Sequence, residues 1–105
     1  TGKYLNGQDT DGRISQWPAF GQRYSKPNVM PASAAYVALA AKHGLTPVQL
    51  ALGFVRSRWF VSSTIIGASS LAQLKETLPA TQTPISADLL AEIDAIHLRY
   101  TNPAP

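Results

Sequence analysis

The sequence predicts a mainly α chain of about four helices and one strand, cut from a larger α/β structure. Four stretches place apolar residues at helical spacing, and three of them open on a helix-capping residue. Between the second and third helices, residues 61–66 end in a nearly continuous run of β-branched, apolar side chains. Such a run is typical of a strand in a parallel sheet that is buried on both faces. One strand cannot make a sheet, so we expect its partners to lie outside residues 1–105.

Length and composition limit the classes of protein to consider. The chain has 105 residues, enough for one small domain with a modest core, and its net charge of +3 suits a small anionic ligand as well as nucleic acid. It has no cysteine, which excludes disulfides and thiolate metal sites. No apolar run reaches transmembrane length and no signal peptide is recognisable, so we expect a cytoplasmic protein without membrane contact. Because it begins with Thr1 rather than methionine, we expect a longer parent.

Residues 1–30 are predicted to form a long loop, because their glycines and prolines interrupt any regular element. Long loops in compact domains tend to be functional lids or disordered segments. Trp17, Phe20 and Tyr24 are spaced to pack as a small aromatic cluster, which indicates partial order.

Residues 31–58 are predicted to form a helix pair. The first helix is rich in alanine, and the second begins at Thr46, with Gln49 completing a capping box. Gly53, in the middle of the second helix, costs about 1 kcal/mol relative to alanine, and such a glycine often marks close approach by another element. His43 lies near the end of the first helix with no second ligand at suitable spacing, so we predict no metal site.

A strand, a tight turn and a helix start follow in immediate succession. The predicted strand 61–66 meets the small residue Gly67, and a helix over 69–79 begins on two serines. Its first N–H groups and positive dipole end suit a phosphate, which can approach the turn because side-chain bulk is missing there. The alternative is that Ser70 and Gln73 form a capping box and satisfy these donors without a ligand. The predicted buried face of this helix consists of Leu71, Leu74 and Leu78.

The last predicted helix covers 86–100. Ser86 is its N-cap, and Asp88 places an acidic side chain in the first turn, where the helix dipole favours it. The predicted buried face consists of Leu89, Ile93, Ile96 and Tyr100.

Several motifs in this order resemble the C-terminal part of an aldo-keto reductase. Residues 1–4 resemble the segment after the seventh strand of that superfamily's barrel, and residues 43–52 resemble the crossover before the eighth. Residues 66–76 resemble the adenosine-phosphate motif of strand eight and its helix, and the ending 100–105 is similar in outline to that of the bacterial Tas-type, NADP(H)-dependent branch. The resemblance implies that this chain is the C-terminal fragment of a (β/α)8 TIM barrel.

The resemblance also implies NADPH or NADP+ as the cofactor. Gly67 and Ser69 match positions that meet the 2′-phosphate and ribose region. Gln73 and Glu76 match helix positions that contact the adenine. Lys3 matches a lysine near the pyrophosphate.

Two further residues complete the implied cofactor set. Arg13 matches, in a looser alignment, an arginine in the loop that closes over the cofactor. Thr77 stands where the family usually has asparagine, and it keeps a hydrogen-bonding oxygen but loses the amide. The residue chemistry agrees with these roles: Gln73 and Glu76 lie three apart on one helix face. Arg13 adds positive charge that can meet a phosphate bidentately.

The parent implied by the resemblance reduces aldehydes or ketones by hydride transfer from the nicotinamide. Its catalytic tyrosine, lysine, aspartate and histidine would precede residue 1, since a barrel needs about 250 residues. We therefore predict no catalytic residue in this chain and no reductase activity from the chain alone. The small carbonyl substrate belongs to the parent.

Two other functions stay open. Residues 32–58 can be interpreted as the helix-turn-helix of a small basic module that binds nucleic acid, although the second helix offers few side chains for base edges, so the leading hypothesis has no nucleic-acid partner. A non-catalytic interaction domain on the same barrel is the other alternative. Without its neighbours, the strand at 61–66 should either pair with another copy through its exposed edges or give way to an all-helical arrangement.

Overall fold

The computed structural model describes residues 2–5, 7 and 11–104. Its helices, in chain order, are α1 Arg13–Gln16, a 3₁₀ helix Pro18–Ser25, α2 Val29–Lys42, α3 Pro47–Arg56, α4 Leu71–Ala80 and α5 Ala87–Arg99. The prediction of a mainly helical chain is confirmed, with more helices than the four predicted. Thr1 of the motif at 1–4 and Pro105 of the ending lie outside the described residues. No described helix has the length and apolar character needed to cross a membrane.

The predicted loop over residues 1–30 is wrong for residues 13–16 and 18–25, which form α1 and the 3₁₀ helix, and for residues 29–30, which begin α2. A proline occupies the start of the 3₁₀ helix, a position that favours helix initiation. A Cβ at Gly21 would lie 3.0 Å from Cγ1 of Ile14, so this glycine allows the two short helices to pack closely. The Tyr4 hydroxyl oxygen also accepts a hydrogen bond from the Ile14 N–H, at 3.3 Å, and joins α1 to the N-terminal segment.

The strand predicted over 61–66 does not form. Residues 62–68 make no backbone hydrogen bond with any other described residue, and Ile65 is 98% exposed rather than buried on both faces. A strand is stable only when its N–H and C=O groups are paired by a neighbour, and the described chain supplies none. The structure matches the all-helical alternative; self-association through this segment stays a prediction.

The core lies where α2, α3 and α5 meet. Its buried side chains are Leu39 and Ala40 from α2, Leu50 from α3, and Leu89 and Ile93 from α5. The face predicted for α5 is therefore confirmed at Leu89 and Ile93, and Ile96 packs against the same core.

The buried face predicted for α4 is wrong. Leu71 and Leu78 are 65% and 53% exposed, Leu74 is also exposed, and Ala80 is the buried residue of this helix. Among the described helices, α3 is the one that α4 contacts extensively. The leucine face of α4 is not covered by that contact and remains exposed.

Local capping matches the sequence at α3 and α5. The Thr46 hydroxyl oxygen accepts from the Gln49 N–H at 3.1 Å, and the Gln49 side-chain oxygen accepts from the Thr46 N–H at 2.8 Å. This reciprocal pair is the predicted capping box. At the start of α5, the Ser86 hydroxyl oxygen accepts from the Leu89 N–H at 3.2 Å.

An ionic cluster joins the end of α2 to α5. The Glu92 carboxylate accepts hydrogen bonds from the Lys42 ammonium and, at 2.9 Å, from Nε2 of His43. His43 therefore has a structural partner on another helix. The hydrogen bond from Lys42, followed by that from His43, holds the pKa of Glu92 below its ordinary value of 4.5.

This cluster predicts a specific pH dependence. A carboxyl whose pKa is lower in the folded chain adds stability above the unfolded pKa, and this is lost as pH falls through the folded pKa. We expect Glu92→Gln to lower the Tm at about pH 6, and the difference from wild type to shrink below about pH 4. Thermal unfolding followed by circular dichroism measures both. Asp94→Asn, on the same helix without an ion pair among the described residues, is the control; a Glu92→Gln deficit that persists in acid contradicts the account.

Gly53 marks the close approach that the sequence predicted. A Cβ there would lie 2.8 Å from the carbonyl oxygen of Thr83 and 2.9 Å from Cδ1 of Ile85.

Gly53→Ala gains about 1 kcal/mol of helix propensity. Overpacking against a backbone atom outweighs this gain, and we expect a net loss of about 1–2 kcal/mol in the free energy of unfolding, measured in urea. Gly67→Ala is the control, because no atom lies within 4 Å of its Cβ position; stabilisation by Gly53→Ala would refute the packing argument.

Candidate functional site

Three residues predicted to bind the cofactor line one pocket. Lys3, Arg13 and Ser69 border a cavity of about 830 Å³, although Ser69 is far from the other two along the chain. The pocket lies between the N-terminal segment, α1, the 3₁₀ helix and the start of α2, with Ser69 reaching it from the approach to α4. Its apolar walls include Tyr4, Trp17, Phe20, Tyr24 and Met30. A volume of this size and a largely apolar lining with a few polar groups are common features of small-molecule sites.

Each basic side chain of this pocket lies over an aromatic ring. The Lys3 ammonium is 4.9 Å from the centroid of the Tyr4 ring, and the Arg13 guanidinium carbon is 5.2 Å from that of Phe20. Lys3 and Arg13 are the basic side chains among the described lining residues, and Asp11 is the acidic one. An anionic ligand with an apolar or aromatic part fits this combination.

The start of α4 differs from the predicted capping box. The Ser70 hydroxyl oxygen accepts from the Gln73 N–H at 3.2 Å, as expected. The Gln73 side-chain oxygen, however, accepts from the N–H of Ser69 at 2.8 Å and from its hydroxyl at 3.0 Å, one residue further back than a capping box requires. Gln73 thereby fixes the residue that reaches the pocket.

The remaining predicted site residues lie outside the pocket lining. Gly67 and Glu76 are exposed, and Thr77 is half-buried. Gly67 is surrounded by open space and its φ lies outside the left-handed region, so its backbone conformation here does not require glycine. The structure thus brings together Lys3, Arg13 and Ser69, with Gln73 attached through Ser69.

The sequence interpretation missed the aromatic partners of the two cations. Tyr4 follows Lys3 directly, and a Lys–aromatic neighbour pair is a weak signal that could have suggested stacking. Phe20 is seven positions after Arg13, and its spacing predicts a cluster with Trp17 and Tyr24 rather than a contact with a cation. Their contact depends on how α1 and the 3₁₀ helix fold back on one another.

A second, more apolar pocket of about 570 Å³ lies between α2, α3 and α5. Tyr36, Phe54 and Ile93 are among its lining residues, and none of the predicted cofactor residues is. Burial, and next the nearby charge of Asp94, raises the pKa of Tyr36, so its hydroxyl stays protonated at neutral pH. This pocket borders the helical core.

Comparison with known proteins identifies the family. Residues 2–98 match the model of the aldo/keto reductase family. The chain belongs to the aldo/keto reductase family. It is 47% identical over all its 105 residues to Protein tas of Escherichia coli (strain K12), and equally to Protein tas of Shigella flexneri. It is 33% identical over 108 aligned residues to an aldo-keto reductase of Babesia bovis, an alignment that covers 98% of this chain.

These relatives confirm the resemblance of the sequence to aldo-keto reductases, including the Tas-type branch. The chain spans 30% of the length of each Tas protein and 38% of the Babesia bovis aldo-keto reductase.

Proposed function

We propose that this chain is the cofactor-binding C-terminal section of an NADP(H)-dependent oxidoreductase that reduces aldehydes or ketones. The observation that carries the proposal is the meeting of Lys3, Arg13 and Ser69 in one pocket of a chain from the aldo/keto reductase family. The parent is proposed to be a (β/α)8 barrel located in the cytoplasm.

The described residues suit NADP(H) by their chemistry. Lys3 and Arg13 supply positive charge for phosphates, and Arg13 can bind one bidentately. Ser69 contributes a hydroxyl near them, and its orientation is fixed by Gln73. Gly67 leaves space beside the same segment for an anion to approach the backbone.

The start of α4 adds donors and an acceptor for the adenosine part. The N–H groups of Leu71 and Ala72 make no hydrogen bond with a described residue, as is usual for the first turn of a helix, and they form the positive end of its dipole. Glu76 would accept from the adenine amino group, and Thr77 offers a hydroxyl beside it. When bound, the cofactor supplies the hydride, and this chain supplies placement and charge.

The proposal gives this chain no catalytic group and no nucleic-acid partner. On α3, the exposed residues are Ala51 and Arg56, so Arg56 alone among them could contact a base edge, whereas a recognition helix places several such side chains in the groove. The carbonyl substrate and the proton donor would belong to other parts of the parent.

Glu76 provides a clean test of the adenine contact. Because it makes no hydrogen bond or ion pair with a described residue, Glu76→Ala should leave the Tm of the full-length parent unchanged. Loss of a charge-assisted hydrogen bond should raise the Kd for NADP+ about tenfold, measured by isothermal titration calorimetry. Asp88→Ala, an exposed carboxylate in the first turn of α5, is the matched control. Equal NADP+ affinity of wild type and Glu76→Ala would rule out the proposed contact.

The proposal that the catalytic group lies outside this chain is tested with the 105-residue chain itself. We expect no NADPH oxidation when the purified chain is mixed with aliphatic and aromatic aldehydes, because the proposed proton donor and its supporting residues lie elsewhere. Absorbance of NADPH follows the reaction, with the full-length parent as the positive control. Turnover by the chain alone would contradict the proposal that the catalytic group lies outside it.

A further inference from the structure

Phe20 is an aromatic residue whose side chain is exposed, so a role in the hydrophobic core does not explain it. Its side chain is 64% exposed, and it is not part of the core formed by α2, α3 and α5. The structure nevertheless places its ring under the Arg13 guanidinium, with 5.2 Å between the guanidinium carbon and the ring centroid. Both residues line the same 830 Å³ pocket.

Arg13 needs external support to keep a fixed position. It is the first residue of α1, a helix of four residues whose N-cap, Gly12, provides no side-chain hydrogen bond. Arginine has several rotatable bonds and loses much rotamer freedom when it is held for a ligand. A ring beneath the guanidinium reduces this cost, because a cation–π contact selects one region of side-chain positions before the ligand arrives.

The backbone that carries Phe20 is itself fixed relative to α1. Ile14 packs against Gly21, the neighbour of Phe20, where a Cβ would be only 3.0 Å from the Ile14 side chain. The Phe20 N–H donates to the carbonyl oxygen of Trp17 at 3.0 Å, and the Trp17 N–H donates to that of Arg13 at 2.9 Å. Arg13 and Phe20 are therefore joined by short-range contacts as well as by the ring itself.

We infer that Phe20 is a positioning residue: its ring holds the Arg13 guanidinium toward the pocket, where the guanidinium meets a phosphate of the dinucleotide. The inference rests on the proposed function, because it assumes that the pocket receives NADP(H). Phe20 acts through Arg13, and the electrostatic face of an aromatic ring is the property required of it.

The test compares two replacements of Phe20 in the full-length parent. Phe20→Leu keeps an apolar side chain but removes the ring, and we expect it to raise the Kd for NADP+ about two- to fivefold, the effect of one exposed cation–π contact. Phe20→Tyr keeps the ring and should bind NADP+ as wild type does. Phe60→Leu is the matched control, because Phe60 is also 64% exposed and lies outside the pocket lining. Calorimetric titration gives each Kd, and thermal unfolding checks that the variants fold.

A double-mutant cycle separates positioning from direct contact with the ligand. In an Arg13→Met background, Phe20→Leu should have no further effect on the Kd, because the group that the ring positions has been removed. Additive effects of the two substitutions, a Phe20→Tyr variant as weak as Phe20→Leu, or a Phe20→Leu variant as tight as wild type would each overturn the inference. If the wild-type parent itself does not bind NADP+, the proposed function fails and this inference fails with it, a result distinct from loss of the Phe20 effect alone.

Discussion

The packing of α5 onto α2 and α3 is the interaction on which the described structure depends. Leu89 and Ile93 of α5 are almost completely buried against side chains of the other two helices. The bridge from Glu92 to Lys42 and His43 fixes the rotation of α5 at the edge of this contact. Because such a small chain buries few large side chains, each contributes a substantial part of its stability. The same α2 also borders the pocket, because Met30 in its first turn lines the pocket wall.

The region from the end of α3 to α4, in contrast, is poorly packed. Trp59 and Ile65 are more than nine-tenths exposed, whereas Nε and Nη2 of Arg58 and Oγ1 of Thr64 are buried without a hydrogen-bond partner. Large exposed apolar groups beside unpaired buried polar atoms are features of a surface that normally meets another element, since a buried polar group without a partner costs about 1–3 kcal/mol. Under the proposed function, neighbouring strands of the parent barrel would pair with residues 62–68 and cover the leucine face of α4.

The sequence predicted best those features that depend on neighbours along the chain. Thr46 with Gln49, and Ser86 alone, identified two helix starts because capping is decided within three residues. The strand failed because β-branched side chains favour an extended chain but do not supply the neighbour that it must pair with. The sequence does not predict the helices within residues 13–25, because proline and glycine usually interrupt regular elements. Here Gly21 instead permits close packing with Ile14. In the site, the resemblance predicts the charged residues. It does not predict the ring beneath Arg13, because that contact depends on how α1 and the 3₁₀ helix pack together.

The hydrogen bonds at the start of α4 also clarify how one helix could serve both folding and a ligand. The Gln73 side-chain oxygen is already used by Ser69, so it is not available as an acceptor for adenine. The amide nitrogen of Gln73 makes no hydrogen bond with a described residue, and the carboxylate of Glu76, three positions later, shares its helix face. One donor and one acceptor on the same face complement an adenine edge, which presents a ring nitrogen beside an amino group. Under the proposed function, the cap would not compete with the adenine contact, because it uses the Gln73 side-chain oxygen and leaves the amide nitrogen as a donor.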